Sequence, residues 1–133
     1  MSEQVSPFKN IRAVDYTIIF VRDMTAMRRF YGEVLEFPLE RQLSAGWIEY
    51  RVGSNILALA DRSRTAHDAP MPTGTAALQL AFRVPPGVVN QCAAVFETKR
   101  VPIIEPPKDQ AWGHRTLFVR DPDGNLVEIY AEI

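Results

Sequence analysis

One glutamate breaks an otherwise apolar run near the end of the chain, in Val127-Glu128-Ile129. A carboxylate among aliphatic neighbours can take a proton, grip a cation or a hydroxyl, or give a metal one ligand. A glutamate on a strand ordinarily points to solvent, so its meaning depends on which face it occupies and what shares that face. His114 follows Trp112-Gly113 in a loop that the first half of the chain lacks. An imidazole and an indole on one loop can line a pocket mouth, or merely stabilise a turn. Arg41, Arg83 and Arg115 could each bind a carboxylate or phosphate by a two-pronged contact, although an arginine is solvated by default. His67 lies in a polar stretch and reads as exposed. Cys92 is the one cysteine, so no internal disulfide can form, and its place on a helix stripe points to packing.

The elements that must position these groups occur twice. Val14 to Val21 and Ala77 to Val84 are both apolar strands. The second alternates strictly, with Leu78, Leu80, Phe82 and Val84 on one face and Gln79, Ala81 and Arg83 on the other. A helix follows each. Asp23 is placed to cap the first, whose stripe is Met24, Met27, Phe30, Tyr31, Val34 and Leu35. The second carries Val88, Val89, Cys92, Val95 and Phe96 on its buried side. The exits match, Glu36-Phe37-Pro38 and Arg100-Val101-Pro102, and extended chain follows both. Gly53-Ser54-Asn55-Ile56-Leu57-Ala58-Leu59-Ala60 then parallels Asp123-Gly124-Asn125-Leu126-Val127-Glu128-Ile129-Tyr130. Asp121 and Asp123 read as turn formers. Trp47 alternates with Glu49, and Tyr50 falls on the opposite face from both; the pattern leaves open which face meets a ligand.

This repeat predicts an α+β domain over residues 1–133: module one at about 11–61, a polar linker at 62–75, and module two at 76–133. Each module is βαβββ. Together they form a cupped mixed sheet with the helices on its outer face, leaving the other face free for a small molecule. Composition excludes other classes. With 133 residues, 47% hydrophobic, 23% charged and a net charge of -1, the chain has no field to attract nucleic acid or an anionic membrane. No run is long enough to span a membrane, and Met1 to Asn10 lacks a secretory pattern. The expectation is a cytoplasmic protein. No P-loop, dinucleotide fingerprint, nucleophile elbow or zinc-spaced Cys/His cluster is present.

Val21-Arg22-Asp23-Met24, Phe30 to Leu35, Trp112-Gly113-His114-Arg115 and Asp121 to Glu128, in that order, resemble the vicinal oxygen chelate superfamily. That group includes glyoxalase I, bleomycin-resistance proteins, extradiol dioxygenases and fosfomycin-resistance enzymes. The resemblance implies up to four metal-facing positions, at the first and last strand of each half, which match Tyr16, Ala58, Gln79 and Glu128. Glu128 would be catalytic, with Gln79, Tyr16, Ala58, His114, Trp112 and Arg83 lining the ligand site. If a divalent metal binds, Glu128 and Gln79 would hold it. That set is incomplete: Ala58 cannot be a ligand, a catalytic ion typically needs three protein ligands, and a second copy would bring the same deficient set. No cofactor is therefore expected. The resemblance further implies a homodimer and two functional alternatives. One is a lyase, isomerase or dioxygenase acting on an oxygenated metabolite. The other is a non-catalytic protein that sequesters a drug-like compound, as bleomycin-resistance proteins do.

Overall fold

The computed structural model describes residues 6–62, 66–72 and 74–133. Residues 63–65 and 73 of the linker, and 1–5 of the N-terminus, lie outside the described residues. A short 3-10 turn, Pro7–Asn10, precedes β1 (Tyr16–Val21), α1 (Met24–Arg28) with a π-helical continuation (Arg29–Val34), β2 (Leu39–Ser44), β3 (Trp47–Val52) and β4 (Asn55–Asp61). The second half repeats the order with β5 (Gln79–Arg83), α2 (Val88–Thr98), β6 (Ile103–Asp109), β7 (His114–Arg120) and β8 (Leu126–Glu132). Among the described residues no helix is long and apolar enough to cross a membrane.

Each half is a four-stranded mixed sheet, in the orders β1-β4-β3-β2 and β5-β8-β7-β6. The first and last strands of a half pair in parallel, which requires the helix as a crossover; the remaining pairs are antiparallel. These are the two expected βαβββ modules. β6 tolerates Pro106 and Pro107 because it is an edge strand with an irregular register against β7.

Asp23 caps α1 as expected, its carboxylate accepting from the Ala26 amide at 3.0 Å. The α-helix then loosens. The Leu35 amide donates to the Phe30 carbonyl at 3.0 Å, an i to i+5 step that α-periodicity does not foresee. Met27, Phe30 and Tyr31 nevertheless stay in the core. On α2 the buried positions are Val89, Ala93 and Phe96. Val95 is a correction to the sequence reading: it is 42% exposed, because it lies about 100° around the helix from Phe96. Both helices end on a non-glycine residue in the left-handed region, Glu36 at φ 58° and Arg100 at φ 59°. Arg100 and Val101 donate back to the carbonyls of Glu97 and Phe96, closing the end of α2.

The core faces of both sheets and both helices belong to one apolar cluster, which includes Ile19, Leu59 and Tyr50 of the first half and Val89, Leu117 and Val127 of the second. Phe37, just past the first helix, meets Phe82 of β5 edge-to-face at 5.3 Å. The β7–β8 turn joins the halves through polar groups. Asp121 and Asp123 form the turn, as expected, with the Asp123 amide on Asp121 Oδ1 at 3.0 Å. They also reach the first half. The Tyr31 hydroxyl donates to Asp121 at 2.7 Å, and the Arg22 amide donates to Asp123 at 2.7 Å. Gly124 is required there: its φ is 98°, and a methyl group would stand 3.0 Å from the backbone of Gly74.

Candidate functional site

Pairing register decides which side chains share a face. On β8, Val127, Ile129 and Ala131 point into the core, so Leu126, Glu128, Tyr130 and Glu132 point the other way. Ala81 is opposite Glu128, and Arg83 is opposite Tyr130, on β5; Phe118 and Thr116 flank the same residues from β7. This helix-free face of the second half holds most of the residues singled out in the sequence. Asn125 sets its register at one end, accepting from the amides of Ala77 and Leu78 at 3.1 and 3.3 Å.

Glu128 is half-buried, and its Oε1 accepts from the Gln79 side-chain amide at 3.0 Å. The amide thereby orients the carboxylate, and Oε2 and the Gln79 side-chain oxygen accept from none of the described residues. Arg83 makes the equivalent diagonal contact two same-face positions along, pairing with Glu132 at 3.0 Å. Beside them runs a ladder of rings. Tyr130 stacks on His114 at 4.7 Å between centroids, and His114 meets Trp112 edge-on at 6.5 Å. Trp112 stands at the rim, 67% exposed. Behind the ladder, the Gln110 amide bridges Glu105 and Thr116 at 3.2 and 3.0 Å.

Tyr16 and Ala58 lie on the corresponding face of the first sheet, which has a different character. Ala58 is fully buried, and Glu49 is its register partner on β3. Glu49 is only 2% exposed; Arg41 donates to its Oε1 at 3.0 Å and the Trp47 indole to its Oε2 at 2.8 Å. Glu49 in turn holds the Arg41 guanidinium more firmly protonated, and Tyr16 adds a smaller contribution. Tyr16 itself is 45% exposed. Among the described residues no side-chain hydrogen bond or ion pair joins Tyr16 or Ala58 to Gln79 or Glu128.

The three arginines considered from sequence are all paired within the protein. Arg41 meets Glu49 and Arg83 meets Glu132, whereas Arg115 sits on the core side of β7 and binds Asp109 at 2.6 Å. His67 is exposed. Cys92 is partly buried against the core, and burial pushes its thiol pKa up, consistent with packing. Tyr130 and Glu49 were not selected from sequence. Tyr130 was reachable, since it follows Glu128 by two residues on a strand. Glu49 needed the register, because only pairing puts it opposite Ala58.

Among the described residues no group of three or more His, Cys, Asp or Glu side chains could hold a metal ion. Residues 13–129 match the model of the Glyoxalase/Bleomycin resistance protein/Dioxygenase superfamily. Solved structures share the fold. A lactoylglutathione lyase from Agrobacterium tumefaciens is 20% identical, with a TM-score of 0.74 over 90% of this chain and 92% of that one. A glyoxalase/dioxygenase from Nostoc punctiforme is 24% identical, with a TM-score of 0.78 over 100% and 99%. A virulence protein from Salmonella typhimurium is 27% identical, with a TM-score of 0.72 over 92% and 98%. No curated protein sequence matches the chain.

Proposed function

The chain belongs to the glyoxalase/bleomycin resistance protein/dioxygenase superfamily, and from that premise we propose that the helix-free face of its second half binds a planar, hydrogen-bond-donating small molecule without a metal. The observation that carries this reading is the Glu128–Gln79 acceptor pair set beside the Tyr130–His114–Trp112 ladder. The pair offers a negative oxygen and a neutral one to a hydroxyl, amine or cation. The ladder offers flat apolar surface for a ring.

A divalent ion of the family type does not fit the donor set. Glu128 supplies one strong ligand and Gln79 one weak one, while Ala58 supplies none. The carboxylate opposite Ala58 on β3, that of Glu49, has both oxygens engaged by Arg41 and Trp47. Sequestration needs only the grip and the ladder. A second reading, catalysis without metal, is favoured by Glu128 Oε2, which accepts from none of the described residues and could take a proton from a bound C–H or O–H.

Titration of tryptophan fluorescence with catechol, an aromatic amine and an aliphatic diol tests the site. Both aromatic compounds should bind, and Tyr130→Leu should weaken them about threefold to tenfold. Equal binding of the aliphatic diol, or no saturation by any of the three, would sink the reading. Product formation from a bound compound would select catalysis over sequestration. Stoichiometric metal in protein purified without an affinity tag, lost on Glu128→Gln, would overturn metal independence.

A second copy of the chain is proposed to complete the curved sheet, as the superfamily resemblance implies. β1 and β5 are edge strands, and Tyr16 and Trp112 leave large rings uncovered on the helix-free faces. Light scattering should give twice the chain mass of 15.0 kDa. A monomer at roughly micromolar concentration would refute the dimer.

A further inference from the structure

The helix side of the first half carries a groove of about 540 Å³ between the first helix and strands β2 and β3. Its walls include Arg28, Arg29, Gly32, Phe37, Leu39 and Tyr50, none of which belongs to the Glu128 face. Tyr50 is 4% exposed, yet its hydroxyl opens toward the groove and bonds to none of the described residues. Gly32 keeps that hydroxyl uncovered: a methyl group there would stand 3.0 Å from the Tyr50 oxygen. Gly32 sits in the π-helical turn, where the sequence predicted an ordinary α-helix.

The charges at this groove are also unbalanced. Arg28 is half-buried and takes part in no ion pair or side-chain hydrogen bond among the described residues. Arg29 meets Glu33 only at 4.0 Å, with both side chains exposed. Among the described residues Glu33 is the one carboxylate on the wall, against two guanidiniums. Phe37 and Leu39 add apolar surface next to them, with Leu39 exposed despite its size.

We propose that this groove is a second ligand site, which takes a small organic anion: a carboxylate or phosphate carried on an apolar body. The Arg28 guanidinium meets the anionic oxygens, and the Tyr50 hydroxyl donates to one of them. The apolar body lies on Phe37 and Leu39. A neutral or cationic compound of the same shape leaves Arg28 without a partner, so the site discriminates by charge.

Calorimetric titration of the full chain with phenyl phosphate and with benzoate tests this, with phenol and benzylamine as the neutral and cationic compounds of the same ring. At least one anion should bind with a Kd of about 1 mM or tighter. Phenol and benzylamine, titrated into Glu128→Gln so that the opposite face has lost its grip on hydroxyls and amines, should bind at least about tenfold more weakly than the anions. The better of the two anions identifies the preferred headgroup. Arg28→Gln should weaken binding about tenfold or more, and Tyr50→Phe, which removes one oxygen and no packing, about threefold to tenfold. Glu128→Gln should leave this affinity unchanged, which separates the groove from the site on the other face. Failure of both anions to saturate, benzylamine binding Glu128→Gln as well as the anions do, or unaltered anion affinity in both Arg28→Gln and Tyr50→Phe would each overturn the proposal.

Discussion

Asp121→Ala is expected to lower the unfolding free energy by about 3 kcal/mol, measured as a lower urea midpoint at unchanged m-value. Four donors converge on this one carboxylate. The amides of Asp123 and Asn125 donate to Oδ1 at 3.0 Å each, and the Tyr31 hydroxyl and the Asn125 side-chain amide donate to Oδ2 at 2.7 and 3.0 Å. Tyr31 has no exposed surface, so alanine takes the acceptor away from a buried hydroxyl. Tyr31→Phe should cost less, about 1 kcal/mol, because Asp121 keeps its other three donors. A midpoint change in Asp121→Ala no larger than that of the exposed Asp68→Ala would show that the β7–β8 turn does not tie the halves together.

The same carboxylate predicts a pH dependence. Burial raises the Asp121 pKa above its ordinary value, while hydrogen bonds from Tyr31 and Asn125 pull it part of the way back. A carboxyl that holds its proton more tightly folded than unfolded adds stability in acid. Its contribution is complete below the unfolded value of about 4 and is lost as the pH rises through the raised folded value. Asp121→Asn cannot titrate and should remove that downward slope from the stability profile. A wild-type slope that survives in Asp121→Asn assigns it to another group.

Glu128→Gln carries the second large effect, on binding. The substitution keeps the shape of the side chain and removes its charge, at a half-buried position, so stability should change by less than about 0.5 kcal/mol. Affinity for an aromatic hydroxyl or amine compound should fall about tenfold to a hundredfold, the range for losing a charged hydrogen-bond partner. Gln79→Ala should cost about threefold, since it removes the neutral acceptor and frees the carboxylate that Gln79 orients. Glu132→Gln removes the same unit of charge on the same face and serves as the comparison. If Glu132→Gln weakens binding as much as Glu128→Gln does, net charge and not the Glu128 position governs affinity. Unchanged affinity in Glu128→Gln would move the site elsewhere.

Much of this fold was legible in the order of residues. Leu78-Gln79-Leu80-Ala81-Phe82 and Val127-Glu128-Ile129 alternate apolar and polar positions, and a two-residue period has only one reading on a strand with a buried face. The paired exits at Glu36 and Arg100, and the cap at Asp23, are local chemistry that one stretch of chain specifies by itself. By the same logic, Glu128, Gln79 and Arg83 share the face opposite the core.

What the chain order could not decide was which groups meet across distances in sequence. Asp121 reads as a turn residue because its contact with Tyr31, ninety positions away, has no local trace. Glu49 reads as one polar residue in a strand until β3–β4 pairing sets it opposite Ala58 and β2–β3 pairing brings Arg41 to its carboxylate, beside Trp47 of its own strand. The π-helical turn was hidden for a related reason: the side-chain stripe of Met27, Phe30 and Tyr31 fits an α-helix, while packing decides where the backbone widens. Periodicity, turn chemistry and capping act over a few residues, so the sequence by itself determined the two modules and the face that carries Glu128. Partners for buried polar groups are chosen by register and by the packing of one half on the other. Only the tertiary structure could therefore decide that Glu128 is oriented by Gln79 beside a ladder of rings, and that Tyr50 and Arg28 find no side-chain partner among the described residues at a groove of their own.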